Sequence, residues 1–263
     1  IINKQNMLLE CKMKAIILAA GRGSRMGLAT ENKPKCMAIY NNKLIIDYKI
    51  ETFITCGITD IVIVNGYKKN VLESYLGDRE VRFVTNDKYN STNMVYSLFC
   101  AEHEMDGDLI ISYGDIIYTD KVLNQITENK SGIVVAVDKN WRELWALRME
   151  DPLKDAETMK IDGNCNIVEL GKKPSSYGEI EGQFIGLIKI SRSAIKQIRK
   201  FYHSLDKSAT YEDMDFNNMY MTQFIQLIIE ELMPVKAELI SGGWLEFDSF
   251  RDLEIYERNL ICL

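Results

Sequence analysis

The densest concentration of chemistry-bearing residues is one turn, Leu18-Ala19-Ala20-Gly21-Arg22-Gly23-Ser24-Arg25-Met26-Gly27, followed by Asn32-Lys33-Pro34-Lys35. Small residues and glycines let a backbone approach an anion closely and turn its N–H groups toward it. Arg22, Arg25, Lys33 and Lys35 add four cations, a density suited to a triphosphate. Two other glycine loops are excluded. A P-loop closes on Gly-Lys-Ser/Thr, whereas Leu28-Ala29 follow Gly27. A dinucleotide fingerprint places an acid at the end of the second strand, and here that strand ends near Asn65.

Other chemistries have little material to work with. The only histidines are His103 and His203, with no serine or cysteine motif nearby, which argues against a histidine-activated nucleophile. Cys11, Cys36, Cys56, Cys100, Cys165 and Cys262 are widely spaced and form no C-x-x-C. Neither a zinc site nor a disulfide framework is expected. Free thiols in a reducing cytoplasm are. The chemistry should therefore rest on carboxylates, lysines or a metal.

The elements that must position these residues alternate. Residues 14–20 form an apolar run read as a buried parallel strand. Residues 44–56 have helical spacing, with Ile45, Tyr48, Ile50, Phe53 and Ile54 near one face and Gly57 as the stop. Strands are predicted at 60–65, 81–85, 109–112 and 132–138, with helices at 69–76 and 119–128. A further helix is capped by Ser91 or Thr92 and runs to about 102. Such alternation predicts an α/β fold, Rossmann-like, with a mixed and mostly parallel sheet and helices on both faces. Beyond 141 the pattern is less regular. Strands are expected at 166–170, 184–190, 235–239 and 245–247. Helices are expected at 191–202, 216–231 and from a Ser249 cap to about 259. Residues 1–12 are read as an extension and 13–263 as one domain.

The 263 residues carry 32 Lys+Arg against 38 Asp+Glu, a net charge of −6. That balance disfavours non-specific nucleic-acid binding. No apolar run approaches the roughly 20 residues of a spanning helix, so no membrane association is expected.

The glycine turn resembles the signature of the sugar-nucleotidyltransferase-like superfamily, L-A-A-G-x-G-x-R-[ML] with x-K-P-K. The likeness continues through Asn65-Gly66-Tyr67, Asn86-Asp87-Lys88-Tyr89 with Asn93 and Tyr96-Ser97-Leu98, and Gly114-Asp115. It ends with Trp244-Leu245-Glu246-Phe247-Asp248-Ser249 and Asp252-Leu253. Within that superfamily the chain is most similar to bacterial phosphocholine cytidylyltransferases. It also resembles cytidylyltransferase domains that activate 2-aminoethylphosphonate or hydroxyethylphosphonate. The stretches 141–157, with Arg148, and 181–187 look especially like the phosphonate group, a resemblance that leaves open fusion of this chain to another phosphonate-pathway or biosynthetic domain.

The resemblance implies transfer of CMP from CTP to a small phosphate or phosphonate acceptor, with Mg²⁺ as cofactor and pyrophosphate released. It implies Asp115 and Asp248 as metal ligands, and Lys35 and Arg25 beside them at the reacting phosphates. Leu18, Ala19, Ala20, Gly21, Arg22, Gly23, Ser24, Gly66, Asn86, Asn93 and Ser97 would bind the nucleotide. Lys172, Lys173, Glu169, Glu181 and Trp141 would face the acceptor, with Asp162 a further acid for an acceptor ammonium. Trp145 and Trp244 would join Trp141 in an aromatic wall. Two alternatives remain at this point: a sugar-1-phosphate nucleotidyltransferase, and a nucleotide-binding regulatory subunit without turnover.

Overall fold

The computed structural model describes residues 13–259 and 261; the expected extension, residues 1–12, lies outside them, as do Leu260, Cys262 and Leu263. Seven strands form the central sheet: β1 (Lys14–Leu18), β2 (Asp60–Asn65), β3 (Val81–Thr85), β4 (Leu109–Tyr113), β5 (Ile133–Asp138), β6 (Gln183–Ile190) and β7 (Lys236–Ile240). Their spatial order is β7-β5-β6-β4-β1-β2-β3. All pair in parallel except β6, which runs antiparallel to both β4 and β5. The mixed, mostly parallel sheet is therefore as expected.

Apolar side chains alternate along each strand and feed two cores. Ile16 and Leu18 of β1 join a core with α3 (Met94–Cys100), α6 (Arg192–Ser204) and α7 (Met221–Glu231). Ala15 and Ile17 join the opposite core, with α1 (Ile45–Thr55), α2 (Lys69–Leu76) and α4 (Asp120–Glu128). Period-two alternation and two helical layers are one fact seen from two sides.

Several boundaries differ from expectation. Strand β1 stops at Leu18, since the next residues turn into the glycine loop. Asn93, not Ser91 or Thr92, caps α3, its side-chain oxygen accepting from the Met94 N–H at 2.8 Å. The helix expected over 216–231 is two pieces, a turn at Phe216–Asn218 and then α7. The irregular stretch after 140 contains α5 (Trp141–Arg148). The Ser249 cap of α8 (Phe250–Arg258) is as read, with Asp252 completing a capping box.

A short antiparallel ribbon, Ile116–Tyr118 against Trp244–Glu246, sits beside the sheet. It pairs Ile116 with Glu246, and the Phe247 N–H donates to the Asp115 carbonyl at 3.0 Å. Chain segments 133 residues apart are thereby brought to one place, with Asp115 just before one strand and Asp248 just after the other.

Candidate active site

The centre of the site is a lysine between two acids. Lys35 Nζ donates to Asp115 Oδ2 at 2.5 Å and to Asp248 Oδ1 at 2.9 Å. Arg25 reaches the same Asp248 oxygen at 2.9 Å. Local backbone geometry explains the convergence. Gly23 adopts φ 66°, and a Cβ there would lie 2.8 Å from the Lys35 side chain. Only glycine lets the turn fold against that lysine stem. A Cβ on Gly114 would lie 2.6 Å from the Leu18 carbonyl, so glycine is also what seats Asp115 against the end of β1.

Electrostatics follow from the geometry. Burial alone would lower the Lys35 pKa, but Asp115 and Asp248 raise it, so the amine stays charged. Burial would raise Asp248, but Lys35, Arg148 and Arg25 hold its carboxyl well below the usual carboxylate range. Burial and the nearby Asp248 charge push Glu246 above the usual carboxylate range.

Two basic residues without a predicted role prove central. The Arg148 side chain is 1% exposed and makes three ion pairs, to Glu246 at 2.6 Å, Asp248 at 2.9 Å and Asp252 at 3.1 Å. It takes Asp248 Oδ2, leaving Oδ1 to face Lys35 and Arg25. Lys49 is buried in α1, donating to Ser112 Oγ at 2.9 Å and to the Ile116 carbonyl. It thus ties together both ends of the turn that carries Asp115. Burial drives its pKa down to about 7. Helical spacing leaves Lys49 off the apolar face and puts Ile54 on it; the structure buries Lys49 and exposes Ile54.

The site also passes a test for a divalent cation. Asp115 Oδ1 is buried and has no hydrogen-bond partner among the described residues. A bare buried carboxylate oxygen is costly unless a cation meets it. With Asp248 it offers the hard oxygen donors that Mg²⁺ prefers. Among the described residues no three His, Cys, Asp or Glu side chains gather in a metal-binding arrangement, so further ligands would be substrate oxygens and water.

A crevice opens beside Asp115 along the carboxyl ends of the strands, lined by Leu18 to Gly21, Lys35, Gly114, Asp115, Tyr89, Asn93 and Ser97. The remaining nucleotide candidates frame it. Gly66 packs beneath Tyr89 and the Ala20 carbonyl, Ser24 opens the turn Ser24–Thr30, and the Arg22 guanidinium lies 5.5 Å from the Tyr67 ring. The polar atoms expected to read the base are engaged internally. Asn86 accepts from the Lys88 N–H, an Asx-turn, and donates to Thr92 and Ser97. Asn93 is occupied by its cap and by the Asn218 carbonyl.

The acceptor candidates are placed less coherently. Lys172 pairs with Glu169 at 3.3 Å, and Lys160 joins the same acid at 3.4 Å on the surface. Lys173 donates to the carbonyls of Leu153 and Lys154. Glu181 accepts from the Ile161 N–H at 2.6 Å, and Asp162 accepts from Asn164 and Asn166. The expected aromatic wall is instead core. Trp141, 4% exposed, packs edge-on against Trp145, and the buried Trp244 donates its indole N–H to Asp138 at 2.8 Å. The indole rings fill apolar space between elements, leaving no open face for a cation.

Comparison with known proteins decides the family: the MobA-like NTP transferase domain matches residues 15–205. The chain belongs to the MobA-like NTP transferase family. It is an enzyme of the nucleotidyltransferase type, as the resemblance implied. It is 45% identical over 250 residues to the CTP:phosphoglutamine cytidylyltransferase of Campylobacter jejuni, covering 92% of this chain and 98% of that protein. The choline-phosphate cytidylyltransferase of Streptococcus pneumoniae is 29% identical, covering 94% and 98%. A solved CTP:phosphocholine cytidylyltransferase from the same species superposes with a TM-score of 0.71 at 24% identity, over 95% of this chain and 99% of that one, which supports the fold. The 2-aminoethylphosphonate cytidylyltransferase of Lancefieldella rimae is 26% identical, covering 96% and 95%. No helix among the described residues is long and apolar enough to cross a membrane.

Proposed function

We propose that this MobA-like NTP transferase, with residues 13–263 acting as one domain, transfers CMP from CTP to an anionic oxygen of a small phosphorylated or phosphonate acceptor and releases pyrophosphate. The observation that carries this reading is the Lys35 ammonium held between Asp115 and Asp248 beside the glycine turn. The attacking oxygen is already ionised near neutral pH, so no general base is required. Catalysis reduces to alignment and charge neutralisation.

Each residue then has a task. Lys35 meets the α-phosphate, and Arg22 and Arg25 hold the departing β- and γ-phosphates. Asp115 and Asp248 would hold Mg²⁺, which when bound supplies charge neutralisation at the phosphate oxygens. Arg148 aims Asp248 by occupying its second oxygen. Lys49 fixes the turn under Asp115. The Leu18–Gly21 backbone, Gly66, Asn86, Asn93 and Ser97 shape the nucleoside end. Free thiols at Cys36, Cys56, Cys100 and Cys165 suit a reducing compartment, and we place the enzyme in the cytoplasm.

A matrix of four nucleoside triphosphates against phosphoglutamine, phosphocholine, 2-aminoethylphosphonate and a hexose 1-phosphate, with Mg²⁺ present, tests the reading. Acceptor-dependent pyrophosphate from CTP, with a CDP-linked product in the phosphorus NMR spectrum, is expected. Preference for UTP with the hexose phosphate would replace it with a sugar nucleotidyltransferase. Nucleotide binding without any pyrophosphate would indicate a regulatory subunit.

A further inference from the structure

Asp115 and Asp248 present four carboxylate oxygens, and the structure shows what holds each. Asp248 Oδ2 accepts from Arg148 at 2.9 Å. Asp248 Oδ1 and Asp115 Oδ2 share one ammonium, that of Lys35, at 2.9 Å and 2.5 Å, and Arg25 adds a contact to Asp248 Oδ1 at 2.9 Å. Asp115 Oδ1 alone has no partner among the described residues. The two oxygens that a shared cation would bridge are therefore the two that a cation already bridges. That bridge is shielded: the Lys35, Asp115 and Asp248 side chains are 14%, 14% and 12% exposed, against 65% for Arg25.

A divalent ion coming from solvent meets two carboxylates whose charge is already answered, with a like charge between them. Charges in a shielded site act on one another more strongly than in water, and Mg²⁺ gives up its own water reluctantly. To hold the ion the acids must release the ammonium, and a buried ammonium stranded without an anion is costly. A triphosphate resolves both problems. Lys35 lines the crevice as well as the junction, so phosphate oxygens there can take the ammonium while both acids turn to the metal. The movement required is short. Lys35 opens the turn Lys35–Met37, and its stem packs on Gly23, where a Cβ would lie 2.8 Å from Lys35 Cβ and Cγ. The stem is seated by the backbone, and the ammonium end is what swings.

We propose that Lys35 is the resident cation of the metal position: its ammonium bridges Asp115 and Asp248 until a triphosphate draws it off, so that the divalent cation is admitted with the nucleotide and not before it. The inference deepens the cytidylyl-transfer reading and rests on its assignment of Lys35 to the α-phosphate and of the two aspartates to the metal. Lys35 then serves two anionic partners in succession. Arg148 has no such double task, because Glu246 and Asp252 hold it beside Asp248. Metal and nucleotide raise each other's affinity by the same factor, since coupling between two ligands is reciprocal.

The test reads Mn²⁺ binding to the full chain by electron paramagnetic resonance, without acceptor or turnover; Mn²⁺ shares the oxygen preference of Mg²⁺. The parent alone should bind Mn²⁺ more weakly than about 1 mM, the weak end for carboxylate sites. Lys35→Met and Lys35→Gln, each with a parental circular dichroism spectrum, should bind it about 10- to 100-fold more tightly, the usual size of a coupling between two ligands. Arg25→Met removes a cation that touches Asp248 from solvent, and should gain less than about threefold. Adding α,β-methylene-CTP, whose α–β bridge is carbon, should make the parent hold Mn²⁺ beyond what the nucleotide binds by itself. Tight Mn²⁺ binding to the parent alone, an equal gain in Arg25→Met, no gain in either Lys35 variant, or no effect of the analogue would overturn this inference and leave cytidylyl transfer standing. Binding to Lys35→Met that is unchanged when Asp115→Asn is added would overturn the metal assignment as well. No acceptor-dependent pyrophosphate from CTP with any phosphorylated compound would overturn the cytidylyl-transfer reading, and this inference with it.

Discussion

The Lys35 junction and the segment around Glu157 stand in opposite electrostatic conditions. At the nucleotide end the central charges are already paired in the empty enzyme. Lys35 stands between Asp115 and Asp248, and Arg148 between Glu246, Asp248 and Asp252. Beside the start of β6, where Gln183 holds its backbone, Glu157 has one hydroxyl and no counter-ion among the described residues. The difference teaches where preorganisation lies. In the transfer site proposed above, the charges are paired before substrate arrives, with Lys35 between the two acids. Around Glu157 a carboxylate is held without a counter-ion among the described residues.

Four measurements break or sharpen this contrast. The largest effect should come from Arg148→Met, which strands three acids around an apolar side chain. Breaking a buried ion network by removing one partner costs about 3–5 kcal/mol. Urea unfolding should show that loss, and a change below about 1 kcal/mol would mean the network is not what holds Asp248. Next come Lys35→Ala and Asp115→Ala. Each should cut kcat by about two to three orders of magnitude while the circular dichroism spectrum is unchanged. Near-parental turnover in either would remove it from the site.

The third effect is a pH dependence at Glu157. Its native pKa of about 7 lies above the ordinary glutamate value of about 4.3. Between these values the folded state holds a proton that the unfolded state has lost, so stability falls as pH rises from about 4 to about 7. Glu157→Gln removes that loss. The urea midpoint of the variant should gain on the parent between about pH 5 and about pH 8, and parallel behaviour would mean the carboxylate is already compensated. The smallest effect should be the Lys172–Glu169 pair, which lies at the surface. A double-mutant cycle on stability should give about 0–1 kcal/mol. A larger coupling would show that this surface is more organised than its exposure suggests.

How far the residues can be read from the sequence follows the same division. The glycine turn and its cations stand out because backbone approach to an anion demands particular residue types at close spacing; Asp115 and Asp248, far apart in the chain, are named only through the family resemblance, and the structure brings both to Lys35. The sheet is legible because buried strands such as 14–18 and 60–65 are continuous apolar runs. What escapes depends on long-range pairing. Lys49 lies mid-helix, where local spacing sends a lysine to solvent; its partners Ser112 and Ile116 are more than sixty positions away. Arg148 looks like one basic residue in an irregular stretch, since its three acids follow it by about a hundred residues. The tryptophans suggest a wall because composition cannot tell an aromatic in a core from one lining a cleft. Asn86 and Asn93 suggest base readers where turn and cap geometry consumes their polar atoms.

The central claim is that the acceptor oxygen attacks the α-phosphorus of CTP at the Lys35–Asp115–Asp248 junction. Its most direct test follows label from α-labelled and γ-labelled CTP during acceptor-dependent turnover. The account predicts α label in the CDP-linked product and γ label in pyrophosphate. Label from the γ position in the acceptor product would mean phosphoryl transfer instead, and would contradict it.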